Sequence, residues 1–407
     1  MIQRFIYRFL ERRHYWRHVS FSEMAEIYTS RALRMLATSM TSIFVTIYLY
    51  QNGYSVSFIG FYIAAYFAFR ALMTIPLSFV VARIGPKHAT LISNVLSVPA
   101  LLSLALLPEY GITAAVGFTI FQATSVSLNE VSYMVNLSKV KHVDHDGKEI
   151  GYLQIIDRIA ISISPVIGGV IAFLFGPQVT LLVASGLFLV AALPLLTTPE
   201  PTKIHQKIIY TGLPLGKIWR QMMAESARGV DIVASNAVWS LFLAIAIFGV
   251  TDNSVYAEIG VLVAATVLVA SFAARLYGTF IDHRRAGELM RAGSIANAVL
   301  HFFRPFVANP ATALFMNITN ELATIAYAMP FTKGVCDQAE NLPGYRIAYL
   351  TLMNTASCLG AVLLGLVIGI TGLYVGEIMT LQISFVVAGF YGMLLAANGL
   401  PALKIKR

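Results

Sequence analysis

The sequence predicts an all-α polytopic membrane protein, and three observations carry that prediction. Of its 407 residues, 57% are hydrophobic and only 12% are charged, with a mean hydropathy of +0.72. No soluble core of this size needs so much apolar surface. Apolar runs of the roughly 20 residues needed to cross the hydrocarbon layer recur along the whole chain. Finally, the basic residues divide unevenly among the segments between those runs.

In chain order, the first element is a basic amphipathic segment within residues 1–30. MIQRFIYRFLERRHYWRH sets Ile2, Phe5, Ile6 and Phe9 against Arg4, Arg8 and Arg12, a pattern suited to lying on an anionic membrane surface. Arginines interrupt the apolar run too often for a signal peptide. Twelve spans follow, near 32–50, 55–80, 88–107, 112–136, 150–173, 178–196, 231–250, 256–277, 289–306, 311–331, 346–369 and 377–398. They group into two six-helix bundles, 31–196 and 231–398, joined by the polar linker 197–230 and ending in a tail, 399–407.

With both termini in the cytoplasm, all of the 29 Lys/Arg except Arg70 and Arg304 lie in cytoplasmic segments or the adjoining helix turns. Glu109, Asp252, Glu258 and Glu377 fall in the outer loops. This is the split that the positive-inside rule describes. It accounts for the net charge of +9 without nucleic-acid binding. The expected location is the inner (cell) membrane of a bacterium. Cys336 falls in a predicted cytoplasmic loop and Cys358 in the eleventh span, which argues against a disulfide or a thiol metal site. HVDHDGKE at 142–149 contains metal-ligand residue types but no zinc or calcium spacing, and reads as a solvated turn. No metal or cofactor is expected. A phosphate-binding GxxxxGK[ST] loop is absent from the sequence, and no nucleophile–base pattern suggests an enzyme.

The halves share a plan. VSFIG at 56–60 pairs with VYAEIG at 255–260, setting Gly60 against Gly260. IGYLQIID at 150–157 pairs with IAYLTLMN at 347–354 at an offset of 197, which also pairs Gly168 with Gly365 and Asp157 with Asn354. Asn129-Glu130 and Asn320-Glu321 match at an offset of 191. Their common order and spacing point to duplication.

Two six-span halves, a basic central linker and a loop pattern together resemble the major facilitator superfamily (MFS). The family's loop between its second and third spans runs roughly G-x-x-x-D-R-x-G-R-R. The second half has GTFIDHRRAG, with Gly278, Asp282, His283, Arg284 and Arg285; the first has SFVVARIGPKH, where Arg83, Gly85 and Lys87 fit while Ser78 and Ala82 replace Gly and Asp. The resemblance implies a conformational latch at these residues, stronger at Asp282 than on the Ala82 side; topology-setting by charge is the alternative. The fifth span, GYLQIIDRIAISISPVIGG, resembles the family's exporter pattern through Gly151, Ala160, Ser164, Pro165, Gly168 and Gly169. That implies proton-driven antiport, with close packing of small residues as the plain alternative. The arginine usual in the fourth span of drug exporters is missing here.

Candidate site residues follow. A charge in the hydrocarbon layer is costly and marks function by default. Glu130 and Glu321 are the candidate proton or cation sites, since a carboxylate's proton affinity rises on desolvation and falls beside an arginine. The resemblance places the fourth and tenth spans along the central cavity. Arg70 lies near mid-membrane, about 20 Å along its helix from Arg83 at 1.5 Å per residue. A static Glu130–Arg70 pair is the structural alternative. Asn317, one turn before Glu321, is positioned to orient it or bind substrate. Asp157 and Arg158, with Asn354 matching Asp157, are candidates for the cytoplasmic edge of the site; the equal alternative for Arg158 is a pair with Asp282 or a neighbouring carboxylate. Arg31 and Arg34 are explained by snorkelling; Thr38, Ser39, Thr41, Ser42 and Thr46, with Asn236 and Trp239, are weaker pore-lining candidates. The resulting expectation is a monomeric secondary transporter, in contact with membrane lipids, that exports a small organic molecule against protons. The alternatives are an importer or facilitator holding an anionic group at Arg70 and Arg158, and a non-transporting sensor or lipid scrambler.

Overall fold

In hydrocarbon every backbone N–H and C=O must be satisfied within its own segment, so a chain of this composition is driven to helix. The computed structural model describes residues 21–140, 146–197, 208–250, 252–282, 285–342 and 344–397, without side chains at 21–25, 134, 136–159, 270–272, 274–276 and 278–282. The amphipathic N-terminal segment, the 142–145 part of the polar loop, His283, Arg284 and the 399–407 tail lie outside the described residues. So do the side chains of Gly151, Asp157, Arg158, Gly278 and Asp282.

Twelve long helices follow one another among the described residues. The first half contains α1 (Phe21–Thr41), which resumes as Val45–Gln51 after a break, then α2 (Val56–Ile84), α3 (Pro86–Ala105), α4 (Ile112–Val140), α5 (Asp146–Phe175) and α6 (Pro177–Ala192). The second half contains α7 (Leu215–Ile232), α8 (Ser254–Asp282), α9 (Ala286–Phe303), α10 (Pro310–Glu340), α11 (Arg346–Thr371) and α12 (Glu377–Ala397). Among the described residues, 7 helical stretches are long and apolar enough to cross a membrane, and Ala160–Phe175 and Ser254–Val269 are shorter apolar pieces.

Two element boundaries correct the sequence reading. α7 begins at Leu215, inside the segment assigned to the linker, because LGKIWRQMMAESARGVDI buries Ile218, Ala224, Ala227 and Val230 on one face. It then continues through π-helical turns at Val233–Val238 and Leu243–Phe248. α10 runs past its predicted end to Glu340, so Cys336 is a buried helical residue and not part of a loop.

The two most extensive helix contacts are α2 with α11 and α5 with α8, each joining one half to the other. Both are glycine contacts. A Cβ on Gly60 would sit 2.3 Å from the Gly369 nitrogen, and one on Gly260 would sit 2.3 Å from the Pro165 oxygen. The paired glycines of the duplicated sequence thus occupy equivalent interfaces. Gly168 and Gly169 are equally confined, against the Met40 and Tyr256 carbonyl oxygens at 2.7 and 2.4 Å. Close approach is therefore what these two fifth-span glycines provide.

Candidate functional site

Between the halves lies a cavity of about 220 Å³. α2 contributes Phe67 and Arg70, and α4 contributes Glu130 and Val131. From the other half come Glu225, Arg228, Gly229 and Ile232 on α7, with Leu350, Met353, Asn354 and Ser357 on α11. Two guanidiniums and two carboxylates therefore share one space. Arg228 donates to both Glu225 carboxylate oxygens at 3.3 Å. Arg70 Nη2 donates to Asn354 Oδ1 at 3.2 Å across the halves. Arg70 Nε and Asn354 Nδ2 are buried with no hydrogen-bond partner among the described residues. Glu130 forms no ion pair within 4.0 Å of a described cation, so the static Glu130–Arg70 clamp is not what the geometry contains.

A second cavity, of about 200 Å³, adjoins the first and shares Phe67 and Ile232 with it. Its wall combines Tyr62, Tyr66 and Phe118 with the hydroxyls of Thr38, Thr41, Ser42 and Thr46, and with Gln122 and Asn236. The break in α1 after Thr41 exposes Ser42, and the π-helical turn of α7 contains Asn236. Irregular backbone of this kind is tolerated at membrane depth where it is buried or lines a cavity. Of the first-span candidates, only Ser39 lines neither cavity.

The remaining predicted residues are placed as follows. Glu321 lines neither of these two cavities. Asn317 accepts from Trp239 Nε1, and Asn320 Oδ1 accepts from Asn297 at 3.3 Å; both asparagines tie α10 to its neighbours. Asn129 is buried beside Glu130. Arg34 does not snorkel: it is buried, and donates to Asn94 Oδ1 at 2.7 Å and Ser93 Oγ at 3.0 Å because α3 offers a polar face there. Arg31 instead lies 3.6 Å from the centre of the Tyr133 ring. Arg83, and Arg285 in the second half's equivalent loop, are exposed, and Gly85 takes φ 91°, a value that favours glycine. Lys87 is buried and pairs with Glu26 on α1 at 3.0 Å. Ala82 packs with Ile347 in an apolar cluster. Ser164 donates back to the Ala160 carbonyl.

Sequence reasoning missed Glu225 and Arg228, which it placed in the linker, and a buried network around Asp231. His301 Nε2 lies 2.8 Å from Asp231 Oδ1, Ser235 Oγ donates to the same oxygen at 3.1 Å, and Tyr327 donates to Oδ2. Arg304 Nη1 reaches Ser235 Oγ at 3.2 Å and the Ala234 oxygen at 3.3 Å. A signal was available. Arg31 with Arg228, and Arg34 with Asp231, are separated by the same 197-residue offset as Gly168 and Gly365.

The profile of the Major Facilitator Superfamily matches residues 27–333. The chain belongs to this superfamily. Among solved structures, the E. coli fucose:proton symporter FucP aligns at TM-score 0.65 and 14% identity, over 92% of this chain and 97% of that one. The nucleoside transporter NupG aligns at TM-score 0.63 and 14% identity, over 94% and 99%. A POT family transporter in complex with a thioalcohol conjugated peptide aligns at TM-score 0.68 and 9% identity, over 91% and 94%. At these identities the likeness is one of fold. No curated protein matches the chain in sequence.

Proposed function

We propose that this protein is a proton-coupled secondary transporter of a small organic solute, with the charged cavity as its central site. The observation that carries the reading is Glu130, a carboxylate in a cavity between two pseudo-symmetric halves, with no ion-pair partner among the described residues and with the Arg70 and Arg228 guanidiniums lining the same space. Rocking of the halves changes both the hydration of Glu130 and its distance from Arg70 and Arg228. Those are the two influences that set a carboxylate's proton affinity. Loading and releasing a proton then follows the conformational cycle. Glu321 is the second proposed proton site, by its place in the duplicated half. Efflux in exchange for protons is the direction proposed from the fifth-span pattern. A second reading, import of a solute through an anionic group, draws support from the unpartnered Arg70 Nε.

Proteoliposomes with a trapped pH dye test this. Lipophilic cations, sugars, organic acids and amino acids are offered to wild type, Glu130→Gln and Glu321→Gln. A solute-driven proton flux that falls at least about tenfold in Glu130→Gln, equivalent to about 1.4 kcal/mol, establishes coupling there; the sign of the flux gives the direction. Solute flux with no proton signal and no effect of either variant makes the protein a uniporter. No flux of any solute removes the transport reading in favour of a sensor or scrambler.

A further inference from the structure

The four charges of the central cavity are not all matched with one another. Glu225 engages Arg228 at 3.3 Å. What remains is Arg70, whose Nε has no partner, the neighbouring Asn354 Nδ2, also without one, and Glu130, which no described cation pairs. Arg70 on α2 and Asn354 on α11 line that space with the Glu130 carboxylate of α4. The lining as a whole is formally neutral. A solute with a single charge would pair with one of these groups and leave the other uncompensated in a poorly solvated space, which is costly. A solute with both signs satisfies both.

The adjoining cavity adds a second requirement. Tyr62, Tyr66, Phe67 and Phe118, with Ile63, Leu101 and Val233, make its wall largely apolar, and it meets the charged cavity at Phe67 and Ile232. At ~30 Å³ for each water in the liquid, the charged cavity has room for about seven waters, or a head group of similar atom count. An apolar substituent on that head would extend past Phe67 into the neighbouring 200 Å³.

We infer that the charged cavity binds the head of a zwitterion, its carboxylate at Arg70 and Asn354 and its ammonium at Glu130, while the adjoining cavity takes an apolar or aromatic tail. The substrate class is a hydrophobic amino acid or a short peptide with such a side chain. This rests on the transport reading above and gives that site its cargo.

Binding of L-phenylalanine and L-phenylalanyl-L-leucine to the purified full-length protein, followed by thermal shift and tryptophan fluorescence, tests the inference beside three truncated probes. These are 3-phenylpropionate, without the ammonium, phenethylamine, without the carboxylate, and glycine, without the tail. The amino acid or the dipeptide should bind saturably, and each truncated probe at least about tenfold more weakly, the loss expected from one charge-assisted hydrogen bond for the first two and from the missing burial of an apolar side chain for glycine. This series on wild type needs no variant. Glu130→Gln should then reduce phenylalanine to the level of 3-phenylpropionate, and Asn354→Ala should reduce it towards phenethylamine. Equal binding of phenylalanine and either singly charged analogue overturns the inference. Transport of a lipophilic cation or sugar in the proteoliposomes, with no binding of either zwitterion, also overturns it while leaving the transport reading intact. If no solute binds or moves, both fall together.

Discussion

Arg304 is 1% exposed, and its surroundings show how a guanidinium is kept inside an apolar bundle. Its Nη1 donates to backbone and hydroxyl oxygens of the α7 continuation. Its charged plane lies 4.9 Å from the Trp239 ring centre and 5.6 Å from that of Phe385. Planar stacking and directional hydrogen bonding are both available to Arg and not to Lys. Asp231 receives the hydrogen bonds of Ser235 and Tyr327 and meets His301, so this end of α7 is joined to both α9 and α10. Removing one charge from such a set leaves the others buried and uncompensated, a loss on the order of 3–5 kcal/mol. Arg304→Leu should therefore lower the thermal midpoint of the detergent-solubilised protein by several degrees, and Arg304→Lys should rescue little of it. An unchanged midpoint in Arg304→Leu would show the network to be energetically idle. The sequence made Arg304 visible as an out-of-place charge but gave it no partners. Its surroundings come from three other helices, and the 197-residue offset linking Arg34 to Asp231 becomes informative only when both are seen as buried.

At the scale of elements, backbone contact governs α7 and α11. A Cβ on Gly229 would lie 1.8 Å from the Ser357 oxygen, and one on Gly360 would lie 1.9 Å from the Ser226 oxygen. These helices touch through small residues at reciprocal positions, as membrane helices do where lipid gives no hydrophobic drive to association. Because Gly229 and Ser357 also line the charged cavity, this contact sets its width. Gly229→Ala should separate the helices and cost about 1–3 kcal/mol, the usual penalty of overpacking, read as a lower midpoint together with weaker solute binding. Gly216 has open space around its Cβ position, and Gly216→Ala should change neither. The spans themselves were legible in the sequence, since hydropathy and charge asymmetry depend on composition alone. The start of α7 was not, because an amphipathic helix that buries one face beside a polar one reads as a linker when spans are sought by hydropathy. That single boundary hid Glu225 and Arg228, half of the cavity's charges. Glu130 and Arg70 were legible because an isolated charge in an apolar run stands out without any knowledge of its neighbours, whereas the contact of Arg70 with Asn354 spans 284 residues and needed the fold.

On the scale of the whole molecule, the two halves meet differently at their two ends. At the end that holds the 52–55 turn, polar contacts accompany apolar packing that includes Phe44 against Tyr256. Tyr50 donates to Glu377 Oε2 at 2.7 Å, Gln51 Nε2 donates to the Val250 and Asp252 carbonyls at 3.4 and 3.2 Å, and Ser57 donates to the Gly369 carbonyl at 2.7 Å. At the opposite end Ile347 inserts among Val81, Ala82, Leu128, Val131 and Val135, and Ser78 meets Tyr210 of the linker at 2.8 Å. Each net hydrogen bond contributes only about 1 kcal/mol, and water can replace it when the halves part. Under the alternating access proposed above, parting this end breaks these hydrogen bonds together with the packing of Phe44 on Tyr256 and of Gly60 on Gly369. Holding that end shut should stop the cycle without damaging the site. In a background with Cys336 and Cys358 replaced by alanine, Gln51→Cys and Asp252→Cys joined by a short thiol cross-linker should abolish net solute flux in proteoliposomes, and a cleavable linker should restore it on reduction. Ligand binding to the bridged protein should persist, since neither position lines either of the two cavities described above. Full flux through the bridged protein would mean that these ends never separate, and rocking of the halves would have to be abandoned as the mechanism.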